Sequence, residues 1–290
     1  MNQKIQEADM SRATVEFRDF SFTYAGMKIP AVRGINFSVE EGSIALLAGA
    51  SGSGKSTILR SINGLIPHIY PGEYKGDVFV DGQSVIETET FELARKIGFL
   101  FQNPENQIFM FTVERDVAFG LENLGYEPKE IKKKVEWALK LLGISDLAKR
   151  SPSELSDGQK QRVALAGSLV MDPKIIVLDE PTSLLDPKTA QEVVHLVEDL
   201  NRTLGLTVIL VEHRLELVSA IADKIIILNK GEVFAEGKPD RILAKDNLHE
   251  AGLSIPPIIE LQKRLGLVDS DAVAMDVDDF LQRFVQKWQL

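Results

Sequence analysis

The chain has no cysteine, so disulfides and thiolate metal sites are excluded, a composition that suits a reducing cytosol. Its four histidines leave little material for a metal cluster. No apolar run approaches the roughly 20 residues that a membrane-spanning helix needs, and the opening MNQKIQEADMSR lacks the apolar core of a signal peptide. The expectation is a chain that neither crosses a membrane nor carries a visible export signal, yet can dock on a membrane protein. Positive charge is also in short supply: 33 Lys and Arg stand against 43 Asp and Glu, a formal charge of -10. Nucleic-acid binders normally show a basic face, so no nucleic-acid partner is expected.

What is present is ordinary for a soluble globular protein: 44% hydrophobic and 26% charged residues over 290 positions, enough for one main domain with an appendage. Val15, Phe17, Phe20 and Phe22 alternate imperfectly with polar residues, and Ile35, Phe37 and Val39 repeat the habit, which predicts half-exposed antiparallel strands. Later runs are continuously apolar: IALLA (44–48), IGFLF (97–101), IIVLD (175–179), TVILV (207–211) and KIIIL (224–228). Such runs separated by helical stretches predict a mostly parallel core sheet covered on both faces, hence an α/β fold. Between Phe101 and Ile175 a mainly helical insertion is expected, with Ile131, Val135, Ala138, Leu139 and Leu142 at helical spacing before a stop at Gly143. In the tail, Val277, Phe280, Leu281, Phe284, Val285 and Trp288 fall on one helical stripe behind Asp276, Asp278 and Asp279. That stripe suits either packing on the main domain or a subunit interface.

Two segments carry chemistry by their own pattern. GASGSGKST, Gly49, Ala50, Ser51, Gly52, Ser53, Gly54, Lys55, Ser56 and Thr57, matches G-x-x-x-x-G-K-[ST] between a buried strand and an apolar-periodic segment. Glycines let the backbone turn its N–H groups toward a phosphate, Lys55 adds a point charge, and Ser56 can ligate Mg²⁺. IIVLDEP ends a buried strand with Asp179 and Glu180. An acid there can reach the Mg²⁺ shell, and its neighbour can orient or deprotonate an attacking water.

With these motifs in place, the sequence from residue 14 to 245 resembles the ATP-binding-cassette (ABC) ATPases, whose motifs it carries in order. The resemblance implies a P-loop NTPase of ABC type: an antiparallel β subdomain, a helical signature subdomain at about 103–170, and a C-terminal helical extension over 246–290 contributing to dimer contact, after a polar arm at 1–13. It implies ATP and Mg²⁺ as ligands. Tyr24 would stack on adenine, Gln102 would sense Mg²⁺ and couple the insertion to a partner, and His213 would hold the γ-phosphate and attacking water. LSDGQ resembles the family signature, so Ser156, Asp157, Gly158 and Gln159 would serve the site of the opposite subunit, and Asp186 would sit in the interface loop. FQNPENQIF, TVERDVAFGLENLG and AGLSIPPIIELQKRLG narrow the resemblance to the ATPase subunits of energy-coupling factor transporters. These drive vitamin or metal-ion uptake from the cytoplasmic face of the membrane, with an integral coupling protein and a substrate-binding membrane subunit as partners.

Asp157 departs from the pattern, because the family usually has glycine there. Locally the acid is favourable: Ser156-Asp157-Gly158-Gln159 is a capping box, and a first-turn acid gains about 0.3–1 kcal/mol from the helix dipole. Across a dimer, however, a carboxylate about 7 Å from a phosphate charge costs on the order of 2 kcal/mol at an effective dielectric near 20. That predicts a roughly tenfold slower step and favours pairing with a second, related ATPase over a homodimer, so that only one composite site bears the handicap. A different class of function, a soluble ABC ATPase in DNA repair or translation, usually shows a coiled-coil insertion, a second cassette or basic surfaces, none of which is visible. An idle, non-hydrolysing subunit is disfavoured by Glu180 and His213.

Overall fold

The computed structural model describes residues 13–268 and 272–284. Residues 1–12 of the polar arm, and Val285 and Trp288 of the tail stripe, lie outside them. Among the described residues, ten strands form two sheets. β1 (Ala13–Tyr24), β2 (Val32–Glu40), β4 (Gly72–Val80) and β5 (Gln83–Ser84) make an antiparallel sheet in the order β2-β1-β4-β5. β3 (Ile44–Ala48), β6 (Ile97–Leu100), β7 (Ile175–Asp179), β8 (Thr207–Val211), β9 (Lys224–Asn229) and β10 (Glu232–Gly237) make the second, ordered β10-β9-β3-β8-β7-β6. All its neighbours run parallel except β10, which returns antiparallel on β9.

The continuous apolar runs have a direct physical cause. Along β3, Ile44, Leu46 and Ala48 join one core with the helices, while Ala45 and Leu47 join the other with the antiparallel sheet. β7 and β8 divide their side chains the same way. Strands buried on both faces lose the polar alternation of half-exposed ones. β4 and β10 escaped the sequence reading because GEYKGDVFV and EVFAEG each pair mainly exposed or half-buried polar positions with few apolar ones.

Register sets the functional edge. Leu47 pairs with Val211, Asp179 with Val211, and Leu100 with Leu178, so the residues that follow β3, β6, β7 and β8 emerge side by side at the carboxyl ends of the strands, where ligands of open α/β sheets bind. The stretch between β6 and β7 holds the helices Val113–Asn123, Pro128–Leu141 and Asp157–Leu169, and Gly143 stops the second of them with φ 66°. Beyond β10 the chain adds the 3₁₀ segment Asp246–Ala251 and the helices Pro257–Arg264 and Val277–Phe284. In the last helix Phe284 is buried, whereas Val277 and Leu281 face solvent. No helix of the described residues is long and apolar enough to cross a membrane.

Candidate functional site

β3 delivers the chain into the glycine-rich loop, whose shape depends on the absence of side chains. A Cβ at Gly49, with φ 146°, would lie 2.3 Å from the Leu228 carbonyl and 2.6 Å from Ser53 Oγ; no larger residue fits the turn. Gly54 then starts the helix Lys55–Ile62 with no side-chain cap and no acid in its first turn, which leaves its N-terminal amides and the positive end of its dipole available to an anion. Lys55, only 8% exposed, donates from Nζ to the carbonyls of Gly49 (2.7 Å) and Ala50 (3.0 Å), so its ammonium is already held over the loop. Burial pushes its pKa down, against the pull of Glu180 and Asp179.

The loop opens on a cavity of about 520 Å³ lined by Ala31, Ser51, Gly52, Gly54, Lys55, Ser56, Thr57, Gln102, Asp179, Glu180 and His213. Residues from five segments distant in sequence thus meet in one place. Burial pushes the Asp179 carboxyl above its ordinary pKa, and the neighbouring Glu180 adds to the rise, opposed by Lys55, Arg60 and His213. Glu180 is held from two sides: Gln102 Nε2 donates to its Oε2 at 2.6 Å, and His213 Nε2 lies 2.9 Å from its Oε1. Its backbone sits at φ 48°, a left-handed conformation that costs a non-glycine residue about 1–3 kcal/mol and is maintained only where the surroundings enforce it. The Glu180 N–H donates to the Val211 carbonyl at 3.0 Å, which is part of that enforcement.

Other expected site residues lie outside this lining. Gly49, Ala50 and Ser53 shape the loop from behind, and the Ala50 amide donates to the Ala251 carbonyl at 3.2 Å, which ties the loop to the C-terminal extension. Tyr24 borders a neighbouring cavity of about 580 Å³ with Met27, Gly72 and Glu73. Its hydroxyl lies 3.2 Å from Thr57 Oγ1 and accepts from Arg60 Nη1 at 2.9 Å, and its ring packs edge-on against Phe22 and Tyr70.

None of Ser156, Asp157, Gly158 and Gln159 lines the cavity. Ser156 caps the helix Asp157–Leu169: its Oγ accepts from the Gln159 amide at 3.4 Å and Gln159 Oε1 accepts from the Ser156 amide at 3.0 Å. The capping box is therefore real. Asp157 is exposed, and Lys160 Nζ lies 3.7 Å from its carboxylate while bonding Glu105 in the segment after Gln102. Gly158 faces the next helix so closely that a Cβ would stand 2.6 Å from Thr189 Cγ2. Asp186 caps that helix, Pro187–Leu204, accepting from the amides of Lys188 and Thr189 and from Thr189 Oγ1. These bonds, the Thr189 hydroxyl foremost, hold its carboxyl below the ordinary value.

Sequence reasoning missed Ala31, Arg60, and the Lys160 bridge between Asp157 and Glu105. Only the last left a signal, the three-residue spacing of Asp157 and Lys160 on one helix face. It also passed over Glu212, buried beside His213.

Known proteins resemble this chain in sequence and in fold. The ABC transporter family model matches residues 32–183. A Pyrococcus abyssi protein named as an ABC transporter ATP-binding protein is 44% identical over 255 residues, 86% of this chain and 91% of the relative. The structure of cbiO1 from Clostridium perfringens, part of the ABC transporter complex cbiONQ, superposes with a TM-score of 0.75 at 33% identity, covering 87% of this chain and 99% of that one. An ATP-binding cassette solved as a dimer in a post-hydrolysis state with ADP and Pi gives 0.67 at 33% identity, covering 78% and 98%. The chain belongs to the ABC transporter family, as one of its ATP-binding, ATP-hydrolysing proteins.

Proposed function

We propose that the chain is the ATPase subunit of an energy-coupling factor type importer, bound at the cytoplasmic face of the membrane. There it hydrolyses ATP in a dimer to drive uptake of a vitamin or metal ion through integral partners. The observation that carries the catalytic part is the meeting of Lys55, Gln102, Asp179, Glu180 and His213 in one cavity. In this reading Lys55 and the first-turn amides of its helix hold the phosphates, and Glu180 orients the attacking water and accepts its proton. His213 holds that acid and the γ-phosphate in place, and Tyr24 supports the base. The Ser56 hydroxyl, the Asp179 carboxylate and the Gln102 side-chain carbonyl are hard oxygen donors at the cavity wall, a set that would hold Mg²⁺, with Asp179 acting through water. Bound there, the ion would neutralise phosphate charge.

The signature residues 156–159 serve the opposite site of the dimer, and Asp186 borders the interface. Their position away from this chain's own cavity supports that assignment, as does the likeness to a cassette solved as a dimer. The partner is a second, related ATPase, with Asp157 weakening one of two unequal sites. The likeness to cbiO1, part of cbiONQ, supports the energy-coupling factor reading, together with the segments after Gln102 and after Ala251. The 1–13 arm, the cassette at 14–245 with its helical part at about 103–170, and the extension at 246–290 are the working division of the chain.

Purification of the tagged chain from detergent-solubilised membranes, followed by identification of the copurifying chains, tests this proposal. Two integral membrane proteins and a second cassette ATPase are expected. Recovery of the chain alone, or with soluble proteins only, would overturn it.

A further inference from the structure

Glu212 precedes His213 at the end of β8 and is 2% exposed. Both oxygens of its carboxylate are used. On one side Oε2 accepts from the amides of His213 (2.9 Å) and Arg214 (3.2 Å). On the other, Oε1 accepts from the Thr182 amide at 3.2 Å and from the Thr182 hydroxyl. Thr182, fully buried, lies two residues after Glu180. The ring is closed by Arg214, whose Nη2 donates to Thr182 Oγ1 at 2.7 Å and to the Thr182 carbonyl. Both Glu212 oxygens and the Thr182 hydroxyl are paired, and buried networks of that kind fix geometry well because breaking a bond strands a polar group.

We propose that Glu212 is a positioning residue for ATP hydrolysis: it ties the backbone of His213 to the segment that follows Glu180, and thereby sets the 2.9 Å approach of His213 Nε2 to Glu180 Oε1. The proposal rests on the catalytic reading of Glu180 and His213 given above. Three features single Glu212 out. It is the acceptor for both strand ends at once, which a glutamine, with one acceptor oxygen, cannot be. Glu180 holds a left-handed backbone at φ 48°, so the turn it starts needs an external anchor, and Thr182 provides the attachment point. Finally, the side chain of His213 is 45% exposed, so its orientation depends on its backbone rather than on packing around the ring.

The test is a double-mutant cycle on the full chain assembled with its partner ATPase, read by single-turnover hydrolysis of radiolabelled MgATP and, separately, by ATP binding. Glu212→Gln is expected to slow hydrolysis on the order of tenfold with ATP affinity changed less than about twofold. In a His213→Ala background the same substitution is expected to change the rate less than about twofold, because the residue it positions is gone. Equal slowing in both backgrounds, or no slowing in the first, would overturn the positioning role while leaving the catalytic reading intact. If His213→Ala alone leaves the rate unchanged, the catalytic reading falls and the positioning role with it. Should Glu212→Gln fail to fold, Thr182→Val, which exchanges the hydroxyl for a methyl group and keeps the amide bond to Glu212, enters the same cycle with the same expected signs.

Discussion

Gln102 Nε2 donates to Glu180 Oε2 across 2.6 Å, joining the loop after β6 to the loop after β7. An acid at position 102 would exchange this bond for two carboxylates at contact distance. Gln102→Glu is expected to lower ATP hydrolysis at least about tenfold, measured as phosphate release at saturating MgATP.

Asp179 titrates against the fold. Burial and then Glu180 raise its pKa, so the folded state holds this proton more tightly than the unfolded chain does. The ionised group therefore costs stability; the cost sets in as pH rises through the unfolded value near 3.9 and is complete above the folded one. Asp179→Asn is expected to raise the melting temperature of the nucleotide-free chain at pH 7 by about 2 °C, the scale of roughly 1 kcal/mol in a chain of this size. The gain should vanish as the pH falls below about 4. Scanning calorimetry in EDTA at both pH values checks this.

Gly158 is glycine for a reason internal to the chain. A Cβ there would meet Thr189 Cγ2 at 2.6 Å, and overpacking of this kind costs about 1–3 kcal/mol. Gly158→Ala is expected to destabilise by that amount in urea unfolding. Adding Thr189→Ser, which removes the methyl group and keeps the hydroxyl that bonds Asp186, should restore most of it.

Lys160 changes the expectation for Asp157. With an ammonium 3.7 Å from the carboxylate, the repulsion proposed between Asp157 and a phosphate in a partner's site is partly offset on the same helix turn. Asp157→Gly is expected to raise hydrolysis by the assembled pair about two- to fivefold rather than tenfold. An unchanged rate would dispose of any inhibitory effect.

Much of this molecule was legible in advance where a pattern and a physical cause coincide. The parallel strands announced themselves because burial on both faces demands unbroken apolar runs, as β3 and β8 show. The phosphate loop did so because its turns admit only glycine at Gly49, and the capping box because its two bonds depend on a fixed three-residue spacing. What stayed hidden depends on contacts between distant segments: Tyr24 with Arg60, Glu105 with Lys160, Thr182 with Glu212. No local period encodes which loops meet at a sheet edge. β4 and β10 stayed hidden for the opposite reason, because their exposed faces dilute the alternation that a strand otherwise shows.

In the proposed mechanism Glu180 is the group that activates water. Measuring ATP binding and ATP hydrolysis side by side for the wild-type chain and Glu180→Gln tests it most directly. Hydrolysis is expected to fall at least about a hundredfold, with ATP binding retained. Turnover at the wild-type rate by the Glu180→Gln chain would contradict it.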